Sequence, residues 1–142
     1  MTIARAMAGK DQRIIRCSAD DTVETAAGLL AEHRIGALPV IDGERVSGIF
    51  SERDLLYCIA HKGSAALGLR VADVMTAPAI TVDTQTPVLE ALSLMTRRRI
   101  RHLPVVEDGR LSGFVSIGDL VKYRIELVEG EAQAMRQYIA TA

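Results

Sequence analysis

Gly48-Ile49-Phe50-Ser51-Glu52-Arg53-Asp54 and Gly113-Phe114-Val115-Ser116-Ile117-Gly118-Asp119 are two versions of one pattern. Each runs from a glycine through apolar residues to a serine and reaches an aspartate three residues later. The apolar run reads as the end of a strand, and the serine as the residue that opens a helix. A helix N-terminus offers free N–H groups and partial positive charge, which suit a phosphate. The hydroxyl of Ser51 or Ser116 adds one donor, and Asp54 or Asp119 lies on the same side of the first turn. Aspartate accepts two hydrogen bonds at once, which suits a ribose diol. The same Ser-x-x-Asp spacing is also a capping box that needs no ligand. Both readings stand at this point.

Working outward, an offset of 65 aligns residues 14–56 with 79–121 without a gap, with 15 identities in 43 positions. They include Arg34/Arg99, Leu38/Leu103, Pro39/Pro104, Gly48/Gly113 and Asp54/Asp119. Two copies make a pseudo-symmetric pair and not a solenoid. Each copy predicts a short apolar strand (14–17 or 80–82), then a helix opened by Asp21 or Thr22, or by Thr86 with Pro87 at its first position. Val23, Ala26, Ala27 and Leu30, like Val88, Ala91, Leu92 and Met95, fall on one helix face. A strand follows (38–41 or 103–106), then an Asp42-Gly43 or Asp108-Gly109 turn, a second strand and a second helix. The expected fold is α/β (α+β), a βαββα unit twice over, packed with pseudo-two-fold symmetry. The first repeat is placed at 10–62, a connector at 63–74, the second repeat at 75–125 and a C-terminal helix at 126–142. Val128, Ala132, Met135 and Ile139 give that last helix an apolar face, while Gly130 weakens it.

A second constellation is Ile35-Gly36-Ala37-Leu38-Pro39-Val40 and Ile100-Arg101-His102-Leu103-Pro104-Val105. A proline that begins a strand removes one ladder donor and leaves the preceding backbone extended. The exposed backbone could pair with an adenine edge between apolar walls; an ordinary edge-strand start explains it equally well.

Composition narrows the function. The chain has 142 residues, 17 Lys+Arg against 18 Asp+Glu, 4% aromatic residues and no Trp. That balance argues against a nucleic-acid binder, although Arg97–Arg101 is locally basic. Cys17 and Cys58 form no disulfide framework or metal spacing, and His33, His61 and His102 are scattered. No nucleophile triad or Walker-type loop stands out, so no enzyme is expected. No apolar run approaches the length of a bilayer span and no signal peptide is evident, so a cytoplasmic protein is expected.

Both constellations, found twice at one spacing, resemble the CBS domain (cystathionine beta-synthase domain) family over about residues 10–62 and 75–125. The resemblance implies a tandem pair, the Bateman module, whose clefts hold adenosine-bearing ligands such as AMP, ADP, ATP, NAD or S-adenosylmethionine. It implies ribose contacts at Asp54 and Asp119. It implies phosphate contacts at Ser51, Arg53, Ser116, Arg101 and His102. The adenine pocket would draw on Ile15, Arg16, Ala37, Leu38, Pro39, Ile80, Thr81, Leu103 and Pro104. Copy two offers Arg101 and His102 where copy one has Gly36 and Ala37, so the two pockets should be unequal. No catalytic cofactor or metal is expected. Two functions remain open: a regulatory module that senses an adenine nucleotide for another, unidentified protein, or a structural dimerisation module with incidental pockets. A homodimer is expected in either case, through Leu55, Leu56 and Ile59 on one helix and Leu120 and Val121 on its counterpart.

Overall fold

A computed structural model describes residues 1–9 and 13–141. The expected start of the first repeat at Lys10 and the chain end at Ala142 lie outside the described residues. The elements, in order, are α1 (Ile3–Met7), β1 (Cys17–Ser18), α2 (Val23–His33), β2 (Ala37–Asp42), β3 (Arg45–Ser51) and α3 (Glu52–Lys62). A 3-10 turn (Gly63–Gly68) and α4 (Val71–Val74) lead to α5 (Val88–Arg98), β4 (His102–Glu107), β5 (Arg110–Ser116) and α6 (Ile117–Thr141). This is the α+β fold expected from the repeat.

In the first repeat β1 pairs parallel with β2, and β2 pairs antiparallel with β3. In the second, β4 and β5 pair antiparallel, and Val82 makes a single parallel bridge to Val105. The outer strands are shorter than the expected 14–17 and 80–82, and proline explains it. Val82 donates to the Pro104 carbonyl and accepts from Val106 N–H. The next ladder bond toward Ile80 would need an N–H from Pro104, which has none. Pro39 ends β1 in the same way.

The hairpin turns also differ in detail. Asp42 pairs with Arg45 inside the ladder, so the first turn is Gly43-Glu44, with φ +65° at Gly43. The second is Asp108-Gly109, with φ +51° and +77°, the arrangement of a type I′ turn. Helix α2 is capped by Thr22, whose hydroxyl accepts from Thr25 N–H. Helix α5 begins one residue later than expected, with Pro87 as its cap. The Thr86 hydroxyl is engaged with Asp83 in the turn before it. Helix α6 runs unbroken through Gly130.

Two cores result. Val23, Leu30, Leu38, Val40 and Phe50 fill the first, and Val88, Met95, Leu103, Val115 and Leu120 fill the second. Each is closed by a short helix from outside the aligned window. Val71 of α4 lies in the first core, and Ile3 and Met7 of α1 lie in the second. The two lids are docked by matching bonds: Val71 and Ala72 donate to the Asp21 and Ala19 carbonyls, and Ile3 and Ala4 donate to those of Thr86 and Thr84. Leu120 is fully buried in the second core, which removes it from the expected dimer contacts. The repeats meet through β3 and β5. No helix among the described residues is long and apolar enough to cross a membrane.

Candidate functional site

The cleft sits where the C-terminal end of β3 and the first turn of α3 face the entry to β4. It holds about 760 Å³ of empty space, the open solvent at its mouth included. One wall is Ser51, Glu52, Arg53 and Asp54; another is Arg99, Ile100, Arg101 and His102; Thr76, Pro78 and Ile80 close the third side, with Gly36 and Ala37 nearby.

The carboxylate of Asp54 is held from two directions. Oδ2 accepts from Ser51 N–H at 2.9 Å and from Ser51 Oγ at 3.0 Å. Ser51 Oγ in turn accepts from Asp54 N–H at 3.2 Å, completing a capping box. Oδ1 accepts from Thr76 Oγ1 at 2.9 Å. An ionised carboxylate has about four acceptor positions, two on each oxygen; Oδ2 uses both of its own, and Oδ1 keeps one for a ligand hydroxyl. The cap and the ligand role are therefore compatible: the cap fixes the rotamer that presents the carboxylate. Ser116 and Asp119 repeat the reciprocal bonds at the start of α6, at 2.9 and 3.0 Å.

Matching carbonyls set the opposite wall. Glu52 N–H donates to Gly36 O, and Ile117 N–H donates to Arg101 O. The two positions then diverge. A Cβ at Gly36 would fall 2.7 Å from Glu52 Oε1 and 3.4 Å from His102 Cε1. A side chain there would press on the Glu52 carboxylate, whereas at the corresponding place of the second repeat Arg101 is paired through its carbonyl with Ile117. Arg53, Arg99 and Arg101 are exposed and bring three guanidinium groups to the cleft, beside Glu52 and Asp54.

His102 stacks on Phe114, with centroids 5.5 Å apart and planes 12° from parallel. Burial, and then the Arg101 charge, hold its pKa below the usual imidazole value, against the opposing pull of Asp119 and Glu52. The ring is thus neutral near pH 7, and Arg101 carries the positive charge of this pair. Cys17 is 3% exposed, and burial followed by the Asp21 charge pushes its thiol up to about 11. It is a packing residue. Among the described residues no group of three His, Cys, Asp or Glu side chains could hold a metal.

Of the residues singled out in the sequence, Ser51, Arg53, Asp54, Ala37, Ile80, Arg101 and His102 line this cleft. Ile15, Arg16, Pro39, Thr81, Pro104, Ser116 and Asp119 do not line it. Leu38 and Leu103 are fully buried in the two cores. Strand side chains alternate, so Ala37 faces the cleft while Leu38 faces inward. Thr76 and Pro78 escaped the sequence reading. Thr76 lies 22 residues from the carboxylate that it holds, and no local spacing marks it.

Comparison with known proteins gives a consistent picture. The family model described as CBS domain matches residues 11–61 and 71–126. The chain is 40% identical over 128 residues to the mitochondrial CBS domain-containing protein CBSX3 of Arabidopsis thaliana, covering 87% of this chain and 62% of that protein's length. A crystal structure of a CBS-domain containing protein from Agrobacterium tumefaciens superposes with a TM-score of 0.81 at 37% identity, over 87% of this chain and 92% of that one. A structure of CBSX2 in complex with AMP superposes with a TM-score of 0.77 at 30% identity, over 89% of this chain and 97% of that one.

Proposed function

Because the chain belongs to the CBS domain family and carries two of its repeats, we propose that it is a non-catalytic regulatory module that binds an adenosine-containing nucleotide between them. The observation that carries this reading is the division of the cleft. On one wall a tethered carboxylate, Asp54, offers an acceptor on Oδ1 for a ribose hydroxyl. On the facing wall Arg99 and Arg101, with Arg53 next to Asp54, offer charged donors for phosphate. Ser51 adds a hydroxyl and His102 a neutral ring, and Ala37 and Ile80 supply apolar wall for the base. The AMP held by CBSX2 supports the same ligand class here, with ATP and NAD as the larger alternatives. Asp119 and Ser116 form the equivalent half-site of the second repeat. Binding biases the relation of the two repeats, and a separate protein reads that change. Self-association is part of the proposal. Leu56, Tyr57 and Ile59 stand exposed along α3, a patch that suits contact with another copy.

The test is a pair of calorimetric titrations, adenosine and AMP, into wild type and Arg101→Ala. Loss of a charged partner for phosphate costs roughly 1.5–3 kcal/mol, about 10- to 100-fold in affinity. AMP should weaken by that factor, adenosine should change little, and added salt should shrink the difference. Equal losses for both ligands would assign Arg101 to the shape of the pocket. Failure of the wild type to bind AMP, ATP or NAD would reject the reading.

A further inference from the structure

Helix α6 extends well beyond the fold it starts from. Leu120 is buried, and Tyr123 packs against the second core. From Val128 to Thr141 every residue is exposed. A 14-residue helical extension without tertiary contacts is marginal in water, and Gly130 weakens it further. Its apolar side chains nevertheless follow a strict order: Val121, Ile125, Val128, Ala132, Met135 and Ile139, spaced 4, 3, 4, 3 and 4. This is a 3.5-residue period, the seam of a coiled coil, and the spacing fixes the heptad phase. Ile125, Ala132 and Ile139 occupy position a; Val121, Val128 and Met135 occupy position d. Val121, Ile125, Val128, Met135 and Ile139 are 41–66% exposed.

The phase places the other residues consistently. Leu120, Tyr123 and Leu127, which are buried or half-buried, occupy positions c and f, nearly opposite the seam. The seam therefore points away from the body. Gly130 takes position f, where a second helix would not touch it.

The flanking charges select the partner and its direction. Arg124 and Glu131 take position g, and Glu129 and Arg136 take position e. In a parallel, in-register pair, position g faces position e of the next heptad on the other helix. Arg124 then meets Glu129 of the other copy, and Glu131 meets Arg136. Both pairs attract, and the symmetry repeats them on the other side. An antiparallel pair sets e against e and g against g, and centred on the extension it juxtaposes like charges. Arg124 lies 3.4 Å from Met1 Sδ, a weak acceptor that leaves its other donors for a carboxylate. We propose that the exposed face of α6, from Val121 to Ile139, binds the same face of a second copy as a parallel, in-register two-stranded coiled coil. The coil sets two modules side by side with their C-termini together. This rests on the self-association proposed above and is independent of the nucleotide reading.

The test places one cysteine at the far end of the seam, Ile139→Cys, in the full chain. Cys17 and Cys58 are buried, so the parent protein is the blank. In a parallel pair the two new thiols lie within disulfide reach. In an antiparallel pair across the whole seam they are about 27 Å apart. In a glutathione redox buffer the variant should cross-link to a covalent dimer. Adding Glu129→Arg with Glu131→Arg, or Arg124→Glu with Arg136→Glu, makes every flanking pair repulsive. Either pair of changes should slow cross-linking more than about tenfold, and mixing the two charge variants should restore it. Ile139, Glu129, Glu131 and Arg136 are exposed, whereas Arg124 is half-buried beside Met1, so thermal unfolding of the Ile139→Cys and the Glu129→Arg with Glu131→Arg variants should stay near that of the parent. Sedimentation separates the claims. A dimer that does not cross-link overturns the parallel coil and leaves self-association standing. A monomer at micromolar concentration overturns both. Cross-linking that ignores the charge changes overturns the assigned register.

Discussion

Gly48 and Gly113 occupy equivalent positions, yet replacing each with alanine should have unequal consequences. A Cβ on Gly48 would lie 2.7 Å from the Thr76 carbonyl oxygen and 2.7 Å from Met75 Sδ. The carbonyl cannot move away freely. It accepts from Ile49 N–H at 2.9 Å, and Thr76 N–H donates back to Ile49 O at 2.9 Å. A Cβ on Gly113 would meet the Met7 terminal methyl, with Met7 Sδ at 2.9 Å. That contact is with the end of a flexible side chain, which can rotate aside. Gly48→Ala should therefore combine overpacking, roughly 1–3 kcal/mol, with strain on the Ile49–Thr76 bridge, about 1 kcal/mol. The sum is about 2–4 kcal/mol, and at roughly 3–4 °C per kcal/mol the melting temperature should fall by about 6–16 °C. Gly113→Ala should cost about 1 kcal/mol. Thermal unfolding by circular dichroism measures both. Because Thr76 also holds Asp54, Gly48→Ala should weaken nucleotide binding and Gly113→Ala should spare it. Equal losses of stability, or a larger loss for Gly113→Ala, would refute the argument that a backbone obstacle distinguishes the two repeats.

Ile3→Ala should destabilise the chain by about 2–4 kcal/mol, since Ile3 is fully buried in the second core; a change under about 0.5 kcal/mol in urea unfolding would show that α1 is not a lid. His102 has a lowered folded pKa, so the unfolded chain binds more protons just below pH 6.5, and stability is lost as pH falls through the unfolded and then the folded value. His102→Gln should lose less stability than wild type between pH 7.5 and 5, and identical pH profiles would contradict the assignment. Cys17 in the folded protein should resist a thiol reagent at pH 8, where a group titrating at about 11 holds almost no thiolate; rapid labelling without unfolding would overturn its burial.

The element order was legible because two copies of one pattern corroborate each other. Alignment of Ser51 with Ser116 and Asp54 with Asp119 located both helix starts, and the capping bonds sit at those residues. What escaped was whatever depends on distant neighbours. The lids were missed because Ile3-Ala4-Arg5-Ala6-Met7 matches Val71-Ala72-Asp73-Val74-Met75 at an offset of 68, outside the gapless window at 65. The shortened strands follow from which side of β2 and β4 the missing proline donor faces, and sequence alone does not set that side. The family resemblance assigns Leu38 and Leu103 to the adenine pocket, but strand alternation turns them into the cores. Thr76 and Pro78 reach the cleft only because α4 docks on the first repeat and carries the chain back past β3.

Whether Asp54 receives a ribose is the central claim, and titration of AMP into wild type, Asp54→Asn and Asp54→Ala tests it most directly. Asparagine can still accept the capping-box bond from Ser51 N–H through its Oδ1 but lacks the charge and one acceptor oxygen, which separates binding from folding. Wild type should bind saturably, and both variants should bind about 10- to 100-fold more weakly, with Asp54→Asn close to wild type in melting temperature. Unchanged AMP affinity in both variants would contradict the account.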